Sequence, residues 1–134
     1  MNILLVDYET DSRAGIAEFL RDMGHHVTES SDVEEAYAIY RAGAFSMVLV
    51  DIKMPAVLGK DLLHRIMALS VEEAEVVLFT NYNDRGVAVE ILREGAYGYL
   101  LKPINVIELA MLTDRIVAHH ALLRESKEIT ECAW

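Results

Sequence analysis

The strongest constraint on this chain is an alternation. Five times over, a short apolar run is followed by a stretch whose apolar residues recur at helical spacing. Residues 3–6 read as a buried strand that stops at Asp7. Ile16, Phe19, Leu20 and Met23 then fall on one helical face, with Gly24 as the stop. Residues 26–29 make a weaker strand. Behind it, Ser31 and Glu34 have the spacing of a capping box, and Val33, Ala36, Tyr37 and Tyr40 form a stripe closed by Gly43. Residues 45–50 are a second strong strand, ending at Asp51. A loop with Pro55 and Gly59 leads to a helix marked by Leu62, Leu63, Ile66 and Leu69. Residues 75–79 are a strand ending at Thr80. Asn83 is placed to cap a helix carrying Val87, Ala88, Ile91 and Leu92, with Gly95 after it. Residues 97–101 form the last strand, ending at Lys102, and Pro103 opens a long helix with Ile107, Ala110, Met111 and Val117.

Strands and helices in strict alternation imply a parallel sheet covered on both faces. Right-handed crossovers leave few topologies at this size. The expected fold class is α/β, a five-stranded parallel sheet of order 2-1-3-4-5 in a flavodoxin-like doubly wound (βα)5 arrangement. A length of 134 residues is enough for one cored domain and leaves no room for two. Residues 1–123 are therefore expected to be that domain, and residues 124–134 a C-terminal helical extension or linker tail.

Composition narrows the partners. A formal net charge of -10 repels phosphate backbones and anionic membrane, so direct nucleic-acid binding by this segment is not expected. No apolar run approaches the roughly 20 residues of a membrane span. The apolar start meets Asp7 too soon to be a signal-peptide core. The single cysteine, Cys132, excludes an intrachain disulfide and suits a reducing compartment. The chain is expected to be cytoplasmic. The pairs His25–His26 and His119–His120 lack the spacing of a metal motif.

In open parallel sheets, sites form outside the C-terminal ends of the strands. The residues that end the strong strands here are Asp7, Asp51, Thr80 and Lys102. Any one of them alone is an ordinary turn or capping residue. Together they are a coherent set. One carboxylate can attack a phosphoryl group. A second can help to hold Mg2+, which takes oxygen ligands. A hydroxyl and an ammonium can stabilise phosphoryl oxygens.

The segments ILLVDYE, MVLVDIKMPAVLGKDLL and VVLFTNYNDRGVAVEILREGAYGYLLKP, with the helix after them, resemble the receiver domains of two-component response regulators. The likeness runs from residue 3 to about residue 123. It implies that Asp51 is the phosphoacceptor, taking its phosphoryl group from a phosphohistidine of a sensor histidine kinase or from a small phosphodonor. It implies that Lys102 pairs with that group, that Thr80 moves to hydrogen-bond it, and that Tyr99 is the aromatic switch. It places a cis peptide before Pro103, and Mg2+ on Asp7, Asp51 and the backbone carbonyl of Lys53. Such a domain catalyses only its own phosphoryl transfer and dephosphorylation and is not otherwise an enzyme. The output surface it implies is the helix after Thr80, the strand through Tyr99 and the helix after Pro103. The expected partners are the kinase, an effector domain in a longer chain with transcription as the regulated process, and a second copy joined through the last helices.

One position departs from the family pattern. Where two adjacent acids are usual at the end of the first strand, this chain has Asp7-Tyr8. A phenol is a poor ligand for a hard cation, so Mg2+ affinity is expected to be weakened. The alternative is an interaction module that works without phosphorylation. The phosphoacceptor reading is preferred because Asp51, Thr80 and Lys102 all remain. Asn81 and Tyr82 are bulky beside Thr80 and by analogy restrict access to the phosphoryl group. A dinucleotide-binding enzyme would need glycine in the first turn, which here reads DYETDSR. A phosphatase with an Asp nucleophile would need a second Asp where Lys53 stands.

Overall fold

Val-, Ile- and Leu-rich runs without polar alternation suit strands that are covered on both faces. The computed structural model, which describes residues 1–51, 64–65, 68, 74–80 and 85–132, forms five strands, and the three central ones are of this kind. They are β1 (Asn2–Val6), β2 (His26–Ser30), β3 (Met47–Asp51), β4 (Glu75–Thr80) and β5 (Gly98–Leu101). All pairings are parallel, in the order β2-β1-β3-β4-β5, as expected. Four helices are labelled among the described residues: α1 (Thr10–Asp22), α2 (Val33–Ala42), α3 (Arg85–Arg93) and α4 (Val106–Cys132). His64, Arg65 and Ala68 are also helical. Pro55, Gly59, Leu62, Leu63, Ile66, Leu69 and Asn83 lie outside the described residues.

The two faces of the sheet carry separate cores. Leu4, Val6, Val48 and Leu78 pack with Val33 of α2 and Ile91 of α3. Ile3, Leu5, Leu49 and Phe79 pack with Leu20 of α1 and with Leu109 and Ile116 of α4. Alternate residues of β1, β3 and β4 thus face opposite layers, and the eight strand residues just named are hidden from water. Fully burying one such aliphatic side chain stabilises the fold by about 1.5–3 kcal/mol. This double layer fixes the strand ends rigidly in space.

Helix ends follow local chemistry. Gly24 and Gly95 have φ of 94° and 118°, a region that costs glycine little. Beyond each, an amide reaches back to a carbonyl five residues earlier, His25 to Leu20 and Ala96 to Ile91, both at 3.2 Å. Gly43 closes α2 for a different reason. Its backbone is extended, and an added Cβ would stand 2.7 Å from the Phe45 ring.

Two expected helix starts are corrected. The cap of α2 is Asp32, not Ser31: its Oδ1 accepts the Glu34 amide at 3.2 Å. Ser30 holds Asp32 in place, its hydroxyl donating to the Asp32 carbonyl at 3.0 Å and accepting the Asp32 amide at 3.3 Å. The last helix begins at Val106 rather than at Pro103, because Asn105 Oδ1 accepts the amides of Ile107 and Glu108 at 2.8 and 3.2 Å. The core face of α4 also differs. Leu109, Thr113 and Ile116 are buried, whereas Ile107 is 67% and Met111 58% exposed. Thr113 can sit inside because its hydroxyl donates to the Leu109 carbonyl at 2.7 Å. No helix among the described residues is long and apolar enough to cross a membrane.

Candidate functional site

Parallel register brings the strand ends together. Val6 pairs with Val50, so Asp7 and Asp51 each stand one step further along neighbouring strands. Asp51 pairs with Phe79, and Thr80 follows Phe79 on β4. Thr80 pairs with Leu101, and the amide of Lys102 donates to the Thr80 carbonyl at 2.8 Å. The four residues singled out in the sequence therefore share one end of the sheet.

Three of their side chains meet directly. Lys102 Nζ donates to Asp51 Oδ2 at 2.7 Å and to Asp7 Oδ2 at 3.1 Å. Asp7, Asp51 and Thr80 are buried, with 0%, 2% and 1% of their surface exposed. The other oxygen of Asp7, Oδ1, accepts the Glu9 amide at 2.9 Å. One ammonium between two carboxylates leaves the cluster net negative when both acids are ionised.

Burial sets the titration of this cluster. It pushes the Asp7 carboxyl above the ordinary carboxylate value, and Asp51 adds to the rise. The Glu9 amide and the Lys102 ammonium oppose it without reversing it. For Lys102 burial works downward, but hydrogen bonds to, and the charges of, Asp51 and Asp7 outweigh it, and its pKa is raised. The ammonium is thus locked on by its two partners.

Tyr99 is half-buried and packs against the core of the α2–α3 face, beside Leu78 in register. Tyr8 is 42% exposed. The peptide between Lys102 and Pro103 is cis, as the resemblance implied. Lys53, Asn81 and Tyr82 lie outside the described residues. Beside Lys102 a cleft of about 730 Å3 runs between α1 and the start of α4, lined by Asp11, Ser12, Ile16, Pro103 and Ile104 among others.

Arg13, which no motif singles out, also borders this centre. Its side chain is only 15% exposed, and its Nη1 donates to the Asp7 carbonyl at 2.6 Å. In the sequence it is one arginine at the end of the acid-rich turn DYETDSR, the fourth residue of α1.

Residues 3–114 match the family model described as a response regulator receiver domain. The chain is 30% identical over 131 residues to the transcriptional regulatory protein ZraR of Escherichia coli K12, covering 97% of this chain and 30% of that one. It is 27% identical over 132 residues to the C4-dicarboxylate transport transcriptional regulatory protein DctD of Rhizobium meliloti, covering 98% and 28%. The chain spans between 28% and 60% of the length of the first curated relatives it matches. Among solved structures, a response regulator receiver domain protein from Clostridium thermocellum superposes with a TM-score of 0.84 at 27% identity, covering 91% of this chain and 98% of that one.

Proposed function

We propose, for a chain that belongs to the family of response regulator receiver domains, that Asp51 accepts a phosphoryl group from a phosphohistidine of a sensor histidine kinase. The observation that carries this reading is the shared ammonium: Lys102 Nζ sits on both Asp51 and Asp7 at the sheet's C-terminal end. An Asp51 oxygen attacks phosphorus, the phosphorus–nitrogen bond breaks, and the imidazole leaves with the bonding pair. Lys102 then turns its ammonium to the phosphoryl oxygens that develop charge, and the Thr80 hydroxyl donates to another of them. Tyr99 follows Thr80 inward as the switch.

Receiver domains of this family generally bind Mg2+ at the phosphorylation site. The donor chemistry fits that ion, since two carboxylates converge within reach of one ammonium. Asp7, Asp51 and the Lys53 carbonyl would hold it, and when bound it neutralises charge on the phosphoryl oxygens. Tyr8 contributes no anion, so the site would hold Mg2+ with one carboxylate fewer and with lower affinity.

The wider role is part of the same proposal. Residues 1–123 act as the receiver, in the cytoplasm, and residues 124–134 lead on as a helical connector to an effector domain that regulates transcription. A second copy docks through α4, where Ile107, Met111, Leu122 and Leu123 are exposed. The long curated relatives support an effector beyond the receiver.

The test is phosphorylation by a small phosphodonor, with Mg2+ and with chelator, followed by intact mass on wild type and Asp51→Ala. A Mg2+-dependent gain of one phosphoryl group, absent in the variant, supports the reading. No gain with a donor that phosphorylates another receiver would replace it with a phosphorylation-independent interaction module.

A further inference from the structure

Asp7 lies one residue past the end of β1, where the ladder stops supplying partners. Its amide is still held by the carbonyl of Ser30, the last residue of β2, at 3.0 Å. Its carbonyl accepts from Arg13 Nη1 at 2.6 Å. Arg13 is itself fixed, its Nε donating to Glu29 Oε1 at 3.3 Å. Glu29 is fixed in turn, its other oxygen pairing with Arg21 Nη1 at 3.3 Å. The chain of contacts runs from α1 through β2 to the backbone of the site.

The peptide that Arg13 grips joins Asp7 to Tyr8. The next amide along, that of Glu9, donates to Asp7 Oδ1. Rotating that peptide would swing the Glu9 amide off the carboxylate and release Asp7 from the direction it shares with Lys102. Because Tyr8 stands where a second acid would, Asp7 is the carboxylate that the turn brings to Lys102. Its direction therefore weighs heavily on any cation held there. The charge of Arg13 would weigh against that cation, and Glu29, which Arg13 shares with Arg21, offsets part of it.

We infer that Arg13 and Glu29 are a positioning pair that aims the Asp7 carboxylate and thereby sets the cation affinity of the site. This rests on the reading of Asp7 as a Mg2+ ligand. Partners of this kind, one shell out from a metal, commonly change affinity by about tenfold or more.

The experiment is a Mg2+ titration of the full 15N-labelled chain, following the Glu9 amide by NMR, for wild type, Arg13→Ala, Arg13→Lys and Glu29→Gln. Asp51 phosphorylation by a small phosphodonor and thermal melting are measured alongside. Arg13→Ala should raise the half-saturating Mg2+ concentration about tenfold. It should move the Glu9 amide before any Mg2+ is added, and slow phosphorylation more at low than at saturating Mg2+. Arg13→Lys, with a single ammonium for two acceptors, should fall between, and Glu29→Gln, which keeps an acceptor, should lose less than Arg13→Ala. A lower melting temperature with unchanged half-saturation and an unmoved Glu9 amide would overturn the inference and leave Arg13 a brace between α1 and β2. Wild type that takes up no Mg2+ would also overturn it. Wild type that binds Mg2+ but gains no phosphoryl group would refute the phosphoacceptor reading while the positioning role stood.

Discussion

Lys102 Nζ lies 2.7 Å from Asp51 Oδ2, although the two residues come from strands that are not neighbours. β4 runs between them, so the lysine stem passes the end of the strand that finishes at Thr80. Its ammonium pairs with two buried carboxylates at once. Removing one partner of such a group leaves uncompensated buried charge, at a cost of about 3 kcal/mol. Lys102→Met should therefore lower unfolding free energy by about 3 kcal/mol in urea at neutral pH without Mg2+. Added Mg2+ should restore part of the loss and stabilise the variant more than wild type. A loss below about 0.5 kcal/mol, the size of an ordinary surface change, would show that the ammonium does not hold the two carboxylates in solution.

Asp7 gives the site a pH dependence of definite sign. Its folded pKa is raised above the ordinary 3.8 by burial, so the folded state holds its proton to higher pH than the unfolded chain does. Its contribution to stability is then greatest below the unfolded value and is lost as pH rises through the folded one. The stability of wild type relative to Asp7→Asn should fall as pH is raised through that window and level off above it. Mg2+ binding should show the opposite trend, weakening as acid protonates Asp7, and at higher pH than for an unburied aspartate. Urea unfolding and Mg2+ titration across pH 4 to 8 test both. A difference between the two proteins that does not change with pH would refute the assignment.

The fold was legible because its signals are local and repeated. Apolar runs ending in polar residues located the strands, and β3 with Asp51 and β4 with Thr80 end where the reading put them. The convergence of Asp7, Asp51 and Lys102 followed from a general property of parallel sheets, that the C-terminal ends of the strands lie together. What failed was the choice between equivalent local patterns. Residues 106–123 carry apolar side chains on more than one side, and periodicity alone favoured Ile107 and Met111 over Leu109 and Ile116. Ser31 and Asp32 are both good caps one residue apart, and the contact of Ser30 with Asp32 selects the second. Arg13 was missed because its acceptor is a backbone carbonyl, which leaves no pattern in the side chains.

The corrected cap of α2 separates two adjacent residues experimentally. Asp32→Ala removes the acceptor of the Glu34 amide and should cost about 1 kcal/mol. Ser31→Ala, at an exposed position outside that cap, should change stability by less than about 0.5 kcal/mol. Urea denaturation of the two variants checks this. Equal losses would restore the capping box expected from the spacing of Ser31 and Glu34.

The two sides of α4 make the last prediction. Leu109 is fully buried, so Leu109→Ala should cost about 3 kcal/mol through lost contacts and the cavity left behind. Ile107 and Met111 are well exposed, and lysine there should change the stability of the monomer by less than about 0.5 kcal/mol. Exposed apolar groups on one helix are the kind of surface that a second copy covers. If the α4 faces join two copies after phosphorylation, the double variant Ile107→Lys with Met111→Lys should weaken that association by at least about tenfold, because two like charges per copy then meet in a desolvated contact. Light scattering of phosphorylated wild type and variant, over a range of concentrations, reads the change. Association that persists unchanged in the double variant would move the contact off this face and leave the apolar side of α4 to another occupant.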